Sequence, residues 1–168
     1  LLSRRQRQMC IRDRFRAYFL EVAKPRQREE TFLFPGAAEL LRGLRARGVR
    51  LGIVSTKTGE TIEYIMDRLG LGDCLDFVIG SSDVKHHKPH PEGLEMALDR
   101  LGLAPERVLY CGDTVLDAEA AQRAGLEFAA VLNGTTPASA FDVWPHVFLA
   151  RDLDALARFL EGQTRPAV

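Results

Sequence analysis

The sequence predicts an α/β domain, a Rossmann-like parallel sheet with helices on both faces. Short, wholly apolar segments such as Val108-Leu109-Tyr110-Cys111 and Phe128-Ala129-Ala130-Val131 read as strands buried on both sides. Segments of roughly ten residues with apolar positions at helical spacing separate them, which is the alternation of a parallel sheet. The chain's 168 residues, 46% hydrophobic and 27% charged, amount to one globular domain with a core to bury. That balance excludes disordered, collagenous and coiled-coil chains.

The elements come in a regular order. Phe15, Tyr18, Phe19 and Val22 mark an amphipathic helix over 15–23, with Pro25 ending it. Pro35-Gly36 opens a helix carrying Ala37, Leu40, Leu41 and Leu44; Gly48 closes it, and Val49 to Val54 is a strand. A helix over 59–69 with Ile62, Ile65, Met66 and Leu69 on one face ends at Gly70, and Phe77-Val78-Ile79 is the next strand. Pro91 starts a helix through Leu94, Leu98 and Leu101 that leads to the Val108–Cys111 strand. Helix 115–124 ends at Gly125. The strands Phe128–Val131 and Val147–Leu149 and a helix from Leu153 to Leu160 complete the pattern, with a frayed tail over 163–168. The loop Phe141–Pro145, which holds the only tryptophan, reads either as a contact surface or as a packed loop.

Charge and cysteine usage narrow the function class. The 23 basic residues balance the 23 acidic ones, so no global field draws the molecule to nucleic acid or to an anionic membrane. The first 16 residues are different material, with six arginines against Asp13 alone. That basic head allows a nucleic-acid-binding arm, but no aromatic or motif context accompanies it. Cys10, Cys74 and Cys111 form no CxxC pair, which argues against a disulfide framework or structural zinc and for a reducing compartment. With no apolar run near the ~20 residues of a membrane span, the expectation is a cytoplasmic protein.

In a parallel sheet the chemistry gathers at the carboxyl ends of the strands. Gly112-Asp113-Thr114-Val115-Leu116-Asp117 stands at one such end. Asp113 and Asp117 could reach one hard cation through oxygen, or Thr114-x-x-Asp117 could be a capping box. After the first strand come Ser55, Thr56 and Lys57, whose hydroxyls and turn N–H groups suit phosphate oxygens or a helix cap. Ile53 and Lys57 stand where a G-x-S-x-G nucleophile elbow needs glycines, so Ser55 is no esterase nucleophile. The loop Lys85-His86-His87-Lys88-Pro89-His90-Pro91-Glu92 holds two of the chain's four lysines, with prolines fixing the backbone after Lys88. Its histidines raise zinc as an alternative, against which stands the lack of a cysteine or paired acid nearby.

This ordered set resembles the haloacid dehalogenase (HAD) superfamily of phosphohydrolases. The branch it is most similar to holds phosphoglycolate phosphatases, pyrophosphatase-type enzymes and sugar-phosphate mutases. Ile53-Val54-Ser55-Thr56-Lys57 is similar to the family's second motif, Lys88-Pro89-His90-Pro91-Glu92 to the third, and Gly112-Asp113-Thr114 with Asp117 to the fourth. The resemblance implies that Ser55, with Thr56, binds the transferring phosphoryl group and that Lys88 neutralises it. It also implies that Asp113 holds Mg²⁺, with Asp117 helping directly or through water. The implied activity is Mg²⁺-dependent hydrolysis of a small phosphorylated metabolite, phosphoglycolate first. A β-phosphoglucomutase-like mutase, a pyrophosphatase and a non-catalytic HAD-like binding protein are the alternatives.

The family's first motif, an apolar strand ending in D-x-D, supplies its nucleophile and its general acid/base, and this chain has neither. Asp13 is the sole aspartate before Ser55. Residues 1–14 resemble translated sequencing-adapter read-through and are set aside as non-native. Residues 15–33 are expected to be the remnant of a helical cap, and 34–162 a HAD-like core without its central first strand. Taken alone, such a chain should be inactive. Unpaired N–H and C=O groups on two inner strand edges should leave it poorly folded.

Overall fold

The computed structural model describes residues 24–163, so the helix expected over 15–23, the basic head and the tail beyond 163 lie outside the described residues. Up to Phe32 the described structure is helix α1 (Lys24–Glu29). Pro25 lies in the first turn of α1, where a proline is tolerated, and the helix it is expected to end lies outside the described residues. At the other end of α1 the Glu30 N–H donates to the Arg26 carbonyl at 2.7 Å.

From Leu33 onward helices and strands alternate. In chain order they are α2 (Ala37–Ala46), β1 (Gly52–Val54), α3 (Gly59–Arg68), β2 (Phe77–Ile79), α4 (Glu92–Leu101), β3 (Leu109–Gly112), α5 (Val115–Ala124), β4 (Glu127–Val131), β5 (Phe148–Ala150) and α6 (Leu153–Gln163). One strand is shorter than its apolar run. Val49 to Leu51 fall outside β1: the Val49 N–H donates to the Leu44 carbonyl at the end of α2 (3.1 Å), and at Leu51 the Asp76 carboxylate accepts the N–H at 2.7 Å while the Asp76 N–H donates to the carbonyl at 2.7 Å. Arg45 holds that carboxylate from the other side at 3.0 Å.

Every strand pairing is parallel, and among the described residues the strands form two sheets. In one, β1 pairs with β2, Gly52 opposite Phe77 and Val54 opposite Ile79. The other has the order β3-β4-β5, with Leu109 opposite Glu127 and Ala129 opposite Phe148. The break falls between β1 and β3, where the sequence leads one to expect two inner edges.

Alternation along β4 places helices on both faces of the larger sheet. Phe128 and Ala130 pack with Ala118 and Ala121 of α5, Leu94 of α4 and Phe141. Ala129 and Val131 pack with Ala150 and with Leu156 of α6. Alanines 118, 120 and 121 are fully buried, and their small side chains let α5 lie close against the strands. A separate cluster of Ile62, Met66, Leu71 and Cys74 covers Ile53 and Val78 of the smaller sheet. The loop with the only tryptophan is packed, since Phe141 is fully buried and Trp144 lies against the same cluster, while Val143 projects outward.

Candidate active site

Two strands and the start of a helix converge on Lys88. The loop after β2 carries this residue back across the molecule to a half-buried position, where its ammonium meets three acceptors. Nζ donates to the Val54 carbonyl at the end of β1 (3.3 Å), to the Tyr110 hydroxyl on β3 (3.0 Å) and to Asp117 Oδ1 in the first turn of α5 (2.5 Å). Among the described residues, lysine therefore bridges the two sheets where no strand pairing does.

Asp117 is buried, and all four of its acceptor positions are used. Oδ1 takes Lys88 and the Tyr110 hydroxyl (2.8 Å), and Oδ2 takes the Thr114 hydroxyl (2.6 Å) and backbone N–H (3.1 Å). The capping box of α5 is thus present, with the Thr114 hydroxyl accepting the Asp117 N–H, and the same carboxylate is the counter-ion of Lys88. Burial works against ionisation, but the Lys88 charge and the bonds from Lys88, Thr114 and Tyr110 hold the carboxyl below its ordinary value of 3.8. Burial and the adjoining carboxylate push the Tyr110 phenol well above its usual range, so it stays a donor. In this geometry Asp117 has no open oxygen for a cation.

Asp113 is placed differently. It lies in the turn between β3 and α5, and its side chain is exposed. The backbone of Gly134, in the loop after β4, passes so close that a Cβ there would stand 2.3 Å from Asp113 Oδ2. A glycine is required at 112 for a similar reason, because a Cβ would lie 2.5 Å from that of Asp117. An exposed carboxylate at a strand end, beside a glycine that leaves it room, fits a hard cation such as Mg²⁺ as one ligand among oxygens supplied from elsewhere.

Ser55 and Thr56 open the turn after β1. Ser55 N–H continues the β1–β2 ladder by donating to the Ile79 carbonyl at 2.9 Å, and its hydroxyl accepts the Lys57 N–H at 3.2 Å. Thr58, not Ser55, stands at the N-cap of α3, so the Ser55 hydroxyl does not cap that helix. Ser55, Thr56 and Lys88 line one cleft together with Gly80, His86, His87 and His90. The structure thus brings together the expected phosphate ligands and sets Asp113 at the neighbouring strand end.

The family pattern of haloacid dehalogenase-like hydrolases matches residues 3–131. The chain belongs to this family. The match begins at Ser3 and so includes most of the segment set aside above as non-native. Phosphoglycolate phosphatase from Escherichia coli (strain K12) is 35% identical over 133 residues, which is 79% of this chain and 51% of that protein. The chain therefore spans about half the length of the curated relatives it matches. Among solved structures, a haloacid dehalogenase-like hydrolase from Bacteroides fragilis superposes with a TM-score of 0.79 at 38% identity, covering 86% of this chain and 70% of that one. A Thermotoga maritima protein named as a β-phosphoglucomutase superposes with a TM-score of 0.78 at 24% identity, covering 90% and 70%; that likeness concerns the fold.

Two residues of this site are not among those the sequence singles out. Tyr110 reads as one more strand residue, although a single polar tip in an apolar strand just before a turn is a signal. Gly134 reads as loop, and its signal is spatial: it comes after β4, the strand beside β3.

Proposed function

We propose that this chain carries the phosphate- and metal-binding part of a Mg²⁺-dependent phosphomonoester hydrolase. Its substrate would be a small phosphorylated metabolite of the phosphoglycolate type. The observation that carries the reading is Lys88, held by Asp117 and Tyr110 at the ends of β1 and β3 and sharing one cleft with Ser55 and Thr56. Phosphoryl transfer asks a protein chiefly to position the group and stabilise charge on its oxygens. The Ser55 hydroxyl and the turn after it supply donors. Lys88 supplies the charge, its longest bond, to the Val54 carbonyl, being the one a phosphate oxygen displaces. Because Asp117 is fully engaged, it holds the ammonium aimed at the cleft and acts on the reaction through Lys88. Asp113 is the residue of this chain that would hold Mg²⁺, which when bound supplies further charge stabilisation on the phosphoryl oxygens. The carboxylate nucleophile belongs to a strand ending in D-x-D that this sequence does not contain, so the chain alone is inactive under this reading. The compartment proposed is the cytoplasm; among the described residues no helix is long and apolar enough to cross a membrane.

The test is a completed chain, in which a D-x-D strand and cap are joined upstream of the core that begins at residue 34. Release of inorganic phosphate from phosphoglycolate in Mg²⁺ is the expected result. Retention of a phosphosugar intermediate without release would favour a mutase, and neither outcome would leave a non-catalytic binding protein.

A further inference from the structure

The loop that delivers Lys88 holds a second constellation. We infer that His86, His90 and Glu92 form a binding site for a divalent transition-metal ion of the Zn²⁺ class, on the wall of the cleft lined by Ser55, Thr56 and Lys88. Two imidazoles and one carboxylate are a His₂Glu ligand set, which leaves a fourth tetrahedral position for water or an anion. One ligand atom from each residue lies within 4.8 Å of the others. Tetrahedral zinc with bonds near 2.05 Å needs about 3.4 Å between ligand atoms, a difference that rotation of two exposed imidazoles can close.

The carboxylate is already set in place. Its Oε1 accepts the Lys85 N–H at 2.8 Å, and its Oε2 accepts the His86 N–H at 3.0 Å and lies 2.9 Å from His86 Nδ1. The two imidazole rings stack with centroids 4.6 Å apart. His90 sits between Pro89 and Pro91, whose rings fix φ. Its N–H donates to the His87 carbonyl at 3.0 Å, and its Nδ1 accepts the Glu92 N–H at 3.2 Å. The acid that pairs with the histidines is Glu92, the last residue of that loop segment, two residues after His90 and folded back onto His86 at the start of α4; from the sequence alone it is not paired with them. Neutral imidazole with carboxylate selects borderline ions such as Zn²⁺ or Co²⁺ over Mg²⁺. The site uses none of Ser55, Lys88 and Asp113, so it stands or falls independently of the proposed hydrolysis.

Titration of the completed chain, the same protein used to test hydrolysis, with Co²⁺, followed by its visible absorption, and with Zn²⁺ by calorimetry tests the inference. The expected result is one equivalent bound with a tetrahedral Co²⁺ spectrum. His86→Ala and His90→Ala should each abolish that spectrum, and Glu92→Gln, which replaces a charged ligand by a neutral one, should weaken binding. Cys111→Ser and Asp113→Ala should leave it intact. His86 and His90 are exposed, so their replacement leaves the core untouched, and unchanged circular dichroism checks this. Unchanged metal affinity in both histidine variants, or loss of the signal in Cys111→Ser alone, would overturn the inference.

Discussion

Asp117 shows how a single side chain serves structure and chemistry together. Its carboxylate closes the capping box of α5 and neutralises the ammonium of Lys88 in a setting where both are largely withdrawn from water. Removing one partner of such a pair leaves the other charge without compensation. Asp117→Asn in the completed chain is therefore expected to cost about 3 kcal/mol or more, read as a fall in the urea midpoint at neutral pH. The pH dependence has a definite sign. A carboxyl held below its ordinary 3.8 contributes stability that is fully present above that value and is lost as pH falls through the folded one. The asparagine variant should lose this part of the acid response below about pH 4. Asp76, which the Leu51 N–H and Arg45 also hold low, should keep part of the slope in both proteins.

At the scale of elements, helices and their ends arise directly from local chemistry. Apolar periodicity places α2 to α6, and Gly48, Gly70, Gly102 and Gly125 all adopt the positive φ that suits a glycine after a helix. Thr114 is the N-cap whose hydroxyl serves both its helix and Asp117. Thr114→Ala should lower stability by about 1 kcal/mol and, by loosening Asp117, raise KM for the phosphate substrate more than Asp152→Ala, which removes the carboxylate that accepts the Ala155 N–H at 2.7 Å at the distant start of α6. A matching effect of the two variants on KM would contradict that role. Strand limits are less legible in the sequence. Val49 to Leu51 have strand composition, yet a carboxylate 25 residues away takes the Leu51 N–H, and no local pattern announces a partner so distant. The same contrast holds at the site. Ser55, Lys88 and Asp113 are legible because each lies in a segment between a strand and the next helix. Tyr110, Gly134 and the fold-back of Glu92 depend on which strands and loops become neighbours.

For the whole molecule the decisive feature is the break between β1 and β3. Each pairs on one side among the described residues, and Lys88 joins their ends through side-chain hydrogen bonds. Strand edges with unpaired N–H and C=O groups are costly when buried and prone to associate when exposed. The isolated chain is accordingly expected to aggregate or to unfold without cooperativity, seen by light scattering and by a broad thermal transition. A soluble monomer with a sharp transition at high temperature would refute this. The proposal that the carboxyl ends of these strands form a phosphoryl-transfer site, with Asp113 as this chain's metal ligand, is decided by phosphate release from phosphoglycolate in Mg²⁺ by the completed chain and its Asp113→Ala variant. Turnover by the parent is expected, with a loss on the order of 10²-fold or more in the variant; turnover by the variant at the parent's rate would refute the proposal.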